Sequence, residues 1–300
     1  AVIESRIFQT FQPDVLIGDT GIITYTYNQS VPILKILNRF YIELLGQGES
    51  PFLPQELNLI RSQVETLINH TRKKLGMYDV FEYKDFASPP ALINGASYFV
   101  NDIPFDYDFV GVYNSLKVQF KPPQNYENCF LTFGTGLSEN RLPLVSTILK
   151  GIERRFRKIY ISYGTKVKQS DLYNPGNAIM KPIFSTMPED IGLIISHGGW
   201  GTLHLGAQSG IPMIAIPFQV EHYSNSWKME KQGLGINVGS YSKENFQGLF
   251  EDMQLDWPRF EEALDNVSNI RKVEYLRDSY KTDKYLLSKS VEKFIKSKIR

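Results

Sequence analysis

The run Ile194-Ile-Ser-His197-Gly-Gly-Trp-Gly-Thr202 holds residue types that can do chemistry at close spacing. A short apolar run ends, three glycines fall within four residues, and a helix-compatible stretch begins. Glycine lets a backbone approach a ligand closely and adopt positive φ. The start of a helix offers free N–H groups and a partial positive charge. Together these form an anion site suited to a diphosphate, with His197 as a further donor and the Thr202 hydroxyl beside it. A glycine pair that only tightens a strand-to-helix turn looks the same in isolation; the longer pattern around it separates the two. Glu221 and His222 follow Pro217 and could meet hydroxyl groups. Asp19 closes the apolar run Val15-Leu-Ile-Gly18. It is either a working carboxylate at a strand end or an aspartate capping the next helix. His70 lies in a polar helical stretch and reads as a solvated face. Asp106-Tyr-Asp108 has oxygen ligands a divalent cation could use. The spacing arises easily by chance in a Pro-flanked loop, so no metal site is assigned.

The elements that must position these groups follow from periodicity. Asp14 to Asp19 reads as a short buried strand, its apolar run continuous as in a parallel sheet covered on both faces. The spacing predicts a helix over 21–45, broken near Pro32, and an amphipathic helix over 57–76 ending at Gly76. Short strands are expected at 91–93 and 109–111. Lys121-Pro-Pro-Gln-Asn reads as a proline-stiffened linker. Beyond it the pattern sharpens. Strands are predicted at 129–133, 158–162, 178–180, 191–196 and 212–216. Helices are predicted at 141–155, 202–209 (closed by Gly210) and 224–232 (stopped by Gly233 and Gly235). Strands alternating with helices imply a parallel sheet of βαβ units. Residues 258–300 read as mainly helical.

Composition narrows the classes. The 300 residues are 42% hydrophobic and 22% charged, enough for a globular chain with a sizeable core. Lysine plus arginine number 33 and aspartate plus glutamate 32, a net charge of +1. That balance gives no electrostatic footprint for a general nucleic-acid binder. The single cysteine, Cys129, excludes an intrachain disulfide and a Cys-based zinc site, and fits a reducing compartment. No stretch reaches the length of apolar sequence a membrane helix needs. A cytoplasmic location is expected.

The pattern extends from His197-Gly-Gly-Trp-Gly-Thr through Gly210-Ile-Pro212, Pro217-Phe-Gln-Val-Glu221-His222 and Asn225 to Gly233-Leu-Gly235. It resembles the donor-binding signature of the UDP-glycosyltransferase family. Leu131-Thr-Phe-Gly-Thr135 is similar to that family's first C-terminal strand and its phosphate-facing loop. The Pro13-to-Asp19 run is similar to a late strand of its acceptor domain. The resemblance implies an α/β chain of GT-B type, with two Rossmann-like domains whose parallel sheets face a cleft, the N-terminal one truncated. The expected division is a partial acceptor-side domain and linker over 1–125, a nucleotide-sugar-binding domain over 126–257, and helices over 258–300 packing back toward the first domain. It also implies transfer of a sugar from a UDP- or dTDP-sugar to a hydroxyl of a small-molecule or lipid acceptor. The reaction would invert the anomeric centre, with no metal and no cofactor beyond the donor itself. His197 would contact the diphosphate. The Gly199, Trp200, Gly201 and Thr202 backbone and the Thr202 hydroxyl would hold the phosphates. Gly134 and Thr135 would close the opposite side, and Glu221 and His222 would meet the sugar. Asp19 would orient a catalytic histidine.

Three departures qualify this. His222 stands where the family usually has Gln, which leaves the sugar open. Leu205 stands where many members carry a ribose-binding Glu, so either the donor has a deoxyribose or the ribose is held otherwise. The histidine that Asp19 would orient has no counterpart in the chain, and the first strands of the acceptor domain are not found. Either the chain is a fragment, or a partner chain supplies those strands. A lipid-linked N-acetylglucosaminyl transferase is disfavoured, because that branch has a Gly-rich loop in place of His197. The alternative of a different class is a catalytically inactive nucleotide-sugar-binding or partner-binding subunit.

Overall fold

The computed structural model describes residues 10, 15–18, 32–87, 91–93, 101–103, 108–109, 125–134, 137–266, 269–270 and 286–298. The chain divides into two compact units. One holds residues 1–113, 244–251 and 279–300, and the other holds 114–243 and 252–278.

The first unit contains a four-stranded parallel sheet in the order β1-β2-β3-β4. Its elements are β1 (Leu16–Gly18), β2 (Ile33–Leu37), α1 (Arg39–Glu43), α2 (Pro54–Lys74), α3 (Tyr83–Ala87), β3 (Ala91–Ile93) and β4 (Asp108–Phe109). The predicted helix over 21–45 is corrected here: residues 33–37 are a strand, and the only helix in the described part of that span is the short α1. Ile33-Leu-Lys-Ile-Leu37 fits either period, and pairing with β1 and β3 decides it. Lys35 is 8% exposed and donates to the Asp85 carbonyl at 3.2 Å. Burial lowers its pKa to about 8, with the Asp85 charge opposing. α2 starts at Pro54, and the Glu56 carboxylate accepts the Leu53 N–H at 2.7 Å. Arg39 and Glu43 are buried together at 2.7 Å, and Asp102 takes a second Arg39 nitrogen at 2.8 Å. Partners on every side make such a pair tolerable in the interior.

The second unit is built on six parallel strands: β5 (Asn128–Thr132), β6 (Lys158–Ser162), β7 (Ala178–Lys181), β8 (Leu193–Ser196), β9 (Met213–Ala215) and β10 (Gly235–Asn237). The interleaved helices are α4 (Leu142–Ile152), α5 (Trp200–Ser209), α6 (Val220–Lys231) and, after a two-stranded pair β11 (Gly239–Ser240) and β12 (Gln254–Leu255), α7 (Trp257–Asp265). The strand order is β10-β9-β8-β5-β6-β7. One sheet face carries Cys129, Leu131, Ile159, Ile161, Leu193, Ile195 and Ile214, each 0–1% exposed. α4 covers it with Val145, Ile148, Leu149 and Ile152, the spacing of a single helical stripe, and α7 adds Phe260 and Ala263. The last helix, α8 (Leu286–Lys298), belongs to the first unit and packs Phe294 and Val291 with Leu34 and Val15.

Candidate functional site

In the second unit the chain leaves β5 toward β6 and β7 on one side, then returns to place β8, β9 and β10 on the other. β5 and β8 are therefore the topological switch point, and Thr132 pairs with Ser196 at their carboxyl ends. In open parallel sheets a crevice for ligand opens at that place. Gly134 and His197 follow directly from these two strand ends.

Close approach explains the glycines. A Cβ on Gly134 would lie 2.9 Å from His197 Cε1, and one on Gly199 would lie 2.3 Å from His197 Nε2. The imidazole thus occupies a slot between two backbones. Gly134 and Gly198 also have φ of +68° and +78°. A Cβ on Gly198 would meet Ser226 Oγ at 2.1 Å and the His222 carbonyl at 2.8 Å, so the turn after β8 rests against the first turns of α6. Ser226 Oγ donates to that same carbonyl at 2.6 Å.

α5 begins at Trp200 with Gly199 as its N-cap, in extended conformation and with no side-chain cap. The Thr202 and Leu203 N–H groups bond back to the Gly199 carbonyl at 3.0 and 3.1 Å. What Thr202 can offer a ligand is its hydroxyl. Around the place a Gly201 Cβ would take there is no atom within 4 Å, so the helix start opens onto free space. The Trp200 ring is 8% exposed and turned edge-on to His204, centroids 4.6 Å apart. Leu205 is 3% exposed. Gly210 closes α5 in the left-handed region at φ +71°, as predicted.

The second predicted cluster lies in a helix rather than a loop. α6 starts at Val220, four residues earlier than expected, so Glu221 and His222 sit in its first turn. A carboxylate there is favoured by the helix dipole. The His197 and His222 rings pack edge to face, centroids 4.4 Å apart at 82°. His222 Nε2 lies 3.2 Å from the Gln219 side-chain nitrogen. Nδ1 of both histidines is buried without a hydrogen-bonding partner, as are both polar atoms of the Asn225 amide. Asn225 is 0% exposed. Burial lowers the His197 pKa to about 4, with the Thr132 carbonyl opposing. It lowers His222 to about 2, and the nearby His197 and Arg141 push the same way. His204, 0% exposed, falls to about 3 by burial. All three are neutral at pH 7.

Of the predicted site residues, Gly134, His197, Gly199, Trp200, Gly201, Thr202, Glu221 and His222 fall in this one unit. Asp19 and Thr135 lie outside the described residues, as do Asp106 and the Asp108 side chain. Sequence reasoning gave no role to Ser226, Gln219, Phe218 or Arg141. Phe218 stacks on Phe133 at 5.2 Å, and the Arg141 guanidinium lies 4.9 Å over the Phe218 ring and donates to its carbonyl at 3.1 Å. Only the apolar-aromatic character of Phe133 and Phe218 hinted at this anchor. Among the described residues no group of three or more His, Cys, Asp or Glu is placed to hold a metal, and no helix is long and apolar enough to cross a membrane.

Comparison with known proteins agrees with the geometry. Residues 129–266 match the glycosyltransferase family 28 C-terminal domain. An anthocyanidin 3-O-galactosyltransferase of Actinidia chinensis var. chinensis is 28% identical over 86 residues, 28% of this chain and 19% of that protein. UDP-glycosyltransferase 78D4 of Arabidopsis thaliana is 32% identical over 62 residues, 20% of this chain and 14% of that protein. The matched segments thus span less than a fifth of these curated relatives. Among solved structures, the glycotransferase of kitacinnamycin superposes with a TM-score of 0.61 at 15% identity, over 99% of this chain and 80% of its own. The glycosyltransferase SsfS6 of Streptomyces sp. SF2575, complexed with thymidine diphosphate, gives 0.51 at 14% identity, over 97% and 71%. The fold is GT-B, and the chain is similar to UDP-glycosyltransferases over the part of its length that these matches cover.

Proposed function

We propose that the second unit binds a nucleotide-diphosphate sugar at the start of α5, and that the chain serves transfer of that sugar to an acceptor hydroxyl. One observation carries the reading. An uncapped helix start opens onto free space at the switch point of a parallel sheet, beside an imidazole slotted between Gly134 and Gly199. The thymidine diphosphate bound by the structural neighbour SsfS6 supports the same ligand class.

In this reading the α5 N–H groups and the Thr202 hydroxyl hold the phosphates. His197, neutral when the site is free, donates one hydrogen bond to them. A diphosphate beside it raises its pKa, because an opposite charge favours the protonated ring. His197 can therefore follow the negative charge that grows on the leaving diphosphate as the sugar departs. Attack by the acceptor oxygen from the opposite face inverts the anomeric centre. The phosphate charge is met by protein groups, and metal-independent transfer is part of the proposal. Glu221 is assigned to a sugar hydroxyl. Asp19 keeps its proposed role as orienter of the base. The acceptor is a small or lipophilic alcohol, and a cytoplasmic setting is proposed.

A second reading is a nucleotide-sugar-binding subunit that needs a partner chain for the acceptor-side strands. Calorimetric titration of the chain and of His197→Ala with UDP and with dTDP tests both. At least one nucleotide binds, and His197→Ala weakens it about tenfold or more, the worth of a hydrogen bond to a charged group. Circular dichroism stays unchanged. Equal binding by the variant sinks the site. Hydrolysis and transfer assays with UDP-glucose and dTDP-glucose then separate enzyme from binding subunit, which binds without turnover.

A further inference from the structure

His222 was expected to reach a sugar directly, but its ring is placed otherwise. One edge faces His197, Nδ1 is buried, and Nε2 faces the Gln219 amide at 3.2 Å. Both ring nitrogens are thus turned to protein. Gln219 is the exposed member of the pair. It is the N-cap residue of α6, yet its side chain does not cap the helix; it lies along His222 instead. A flexible side chain at an exposed N-cap is ordinarily free to rotate, so a fixed partner is what gives it one orientation.

The surroundings hold this pair rigidly. The Phe218 stack on Phe133 and the Arg141 bond to the Phe218 carbonyl pin the backbone just before Gln219. The His222 carbonyl takes the Ser226 hydroxyl and lies against Gly198. A rigid path therefore runs from the β8–α5 turn through His197 and His222 to an exposed amide. That amide is two side-chain contacts from the imidazole assigned to the diphosphate. A sugar joined to the diphosphate extends outward from it by the length of one ring. The amide has one edge engaged by His222 and the other exposed. It can accept from one hydroxyl and donate to another, the pattern of a vicinal diol on a sugar ring.

We propose that Gln219 is a specificity-determining residue for the sugar of the donor, and that His222 is a positioning residue that orients the Gln219 amide and braces the His197 ring. The inference rests on the donor-binding reading of the same site and assigns the sugar hydroxyls to Gln219 beside Glu221. His222 has two separable tasks: ring shape braces His197, and Nε2 orients Gln219. Neutral His222 suits both, since a proton on Nε2 would add charge between His197 and Arg141.

The test is titration of the full chain and three variants with UDP, dTDP, UDP-glucose, UDP-galactose and dTDP-glucose. The quantity read is the ratio of nucleotide-sugar affinity to the affinity for the matching nucleoside diphosphate. In the unaltered chain at least one sugar raises that ratio above one. Gln219→Ala lowers it about fivefold, the loss of a hydrogen bond. His222→Phe keeps the ring, lowers the ratio to the same extent, and holds nucleoside-diphosphate affinity well above that of His222→Ala. His222→Ala loses both. Combining Gln219→Ala with His222→Phe gives no further fall in the ratio. If Gln219→Ala leaves the ratio unchanged, or His222→Phe binds nucleoside diphosphate no better than His222→Ala, the inference is overturned while the donor site stands. If the unaltered chain binds none of the five probes, the donor-binding reading fails first and the inference with it.

Discussion

Acidification probes the buried histidines directly, and His204 isolates one of them. Folded His204 has a pKa of about 3 because burial disfavours its charged form, whereas an unfolded histidine titrates near about 6.5. The unfolded chain therefore binds the extra proton first as pH falls. The contribution of His204 is fully present above pH ~6.5 and is lost progressively below it, until the folded pKa is reached. Between pH 7.5 and pH 5 one such histidine forfeits about 2 kcal/mol, of which about 1 kcal/mol falls between pH 6 and pH 5. His197 and His222, with folded values of about 4 and about 2, behave alike. The three together remove roughly 5–6 kcal/mol by pH 5, as much as a marginal domain possesses. Urea unfolding of the chain and of His204→Phe, measured from pH 7.5 to pH 5, reads this out. The Phe variant has its own cost at every pH, set by its fit beside Trp200, so the informative quantity is the difference in slope. The unaltered chain loses about 1 kcal/mol more than the variant between pH 6 and pH 5. Parallel curves would falsify the claim that burial holds His204 neutral.

Two further substitutions bear on the site. Gly201→Ala meets no atom within 4 Å and replaces a poor helix former, so the melting temperature holds or rises slightly while affinity for UDP or dTDP falls severalfold. A variant that binds as well as the original would show that the space beside Gly201 holds no ligand. Leu205→Glu places a carboxyl at a position 3% exposed and costs a few kcal/mol in melting experiments. If that carboxyl meets a ribose, UDP restores stability and dTDP does not; equal rescue by both would remove Leu205 from the sugar edge of the nucleotide.

The strand-to-helix turn at 194–202 was legible because its chemistry is local. A β-branched run, a glycine at positive φ and a helix former in succession leave few other structures open. β6 matched its predicted limits, Lys158–Ser162, for the same reason. Residues 33–37 were misread because pairing on both sides, rather than local pattern, makes them a strand. The start of α6 was placed late because Pro217 to Asn225 carries no cap that marks Val220; the real N-cap, Gln219, spends its side chain on His222. Gly235 read as a helix stop also opens β10, since a Cβ there would strike the Met213 carbonyl at 2.3 Å. The candidate site residues were chosen by type and spacing. Their mutual contacts, His197 on His222 and Ser226 on Gly198, join segments 25 and 28 residues apart and leave no trace in either segment alone.

The contact of Gly198 with α6 has a consequence for how such a chain can diversify. With 2.1 Å to Ser226 Oγ from where a Cβ would sit, the glycine turn and the helix that follows the next strand cannot slide past one another. The turn that we assign to the phosphates is therefore held by backbone shape, which tolerates almost no replacement. The proposed sugar end is carried by side chains, and Gln219, the exposed one, can be exchanged without moving that backbone. On the proposed assignment, a lineage built this way can change the sugar it accepts at position 219, while the backbone around the common part of every donor stays as it was.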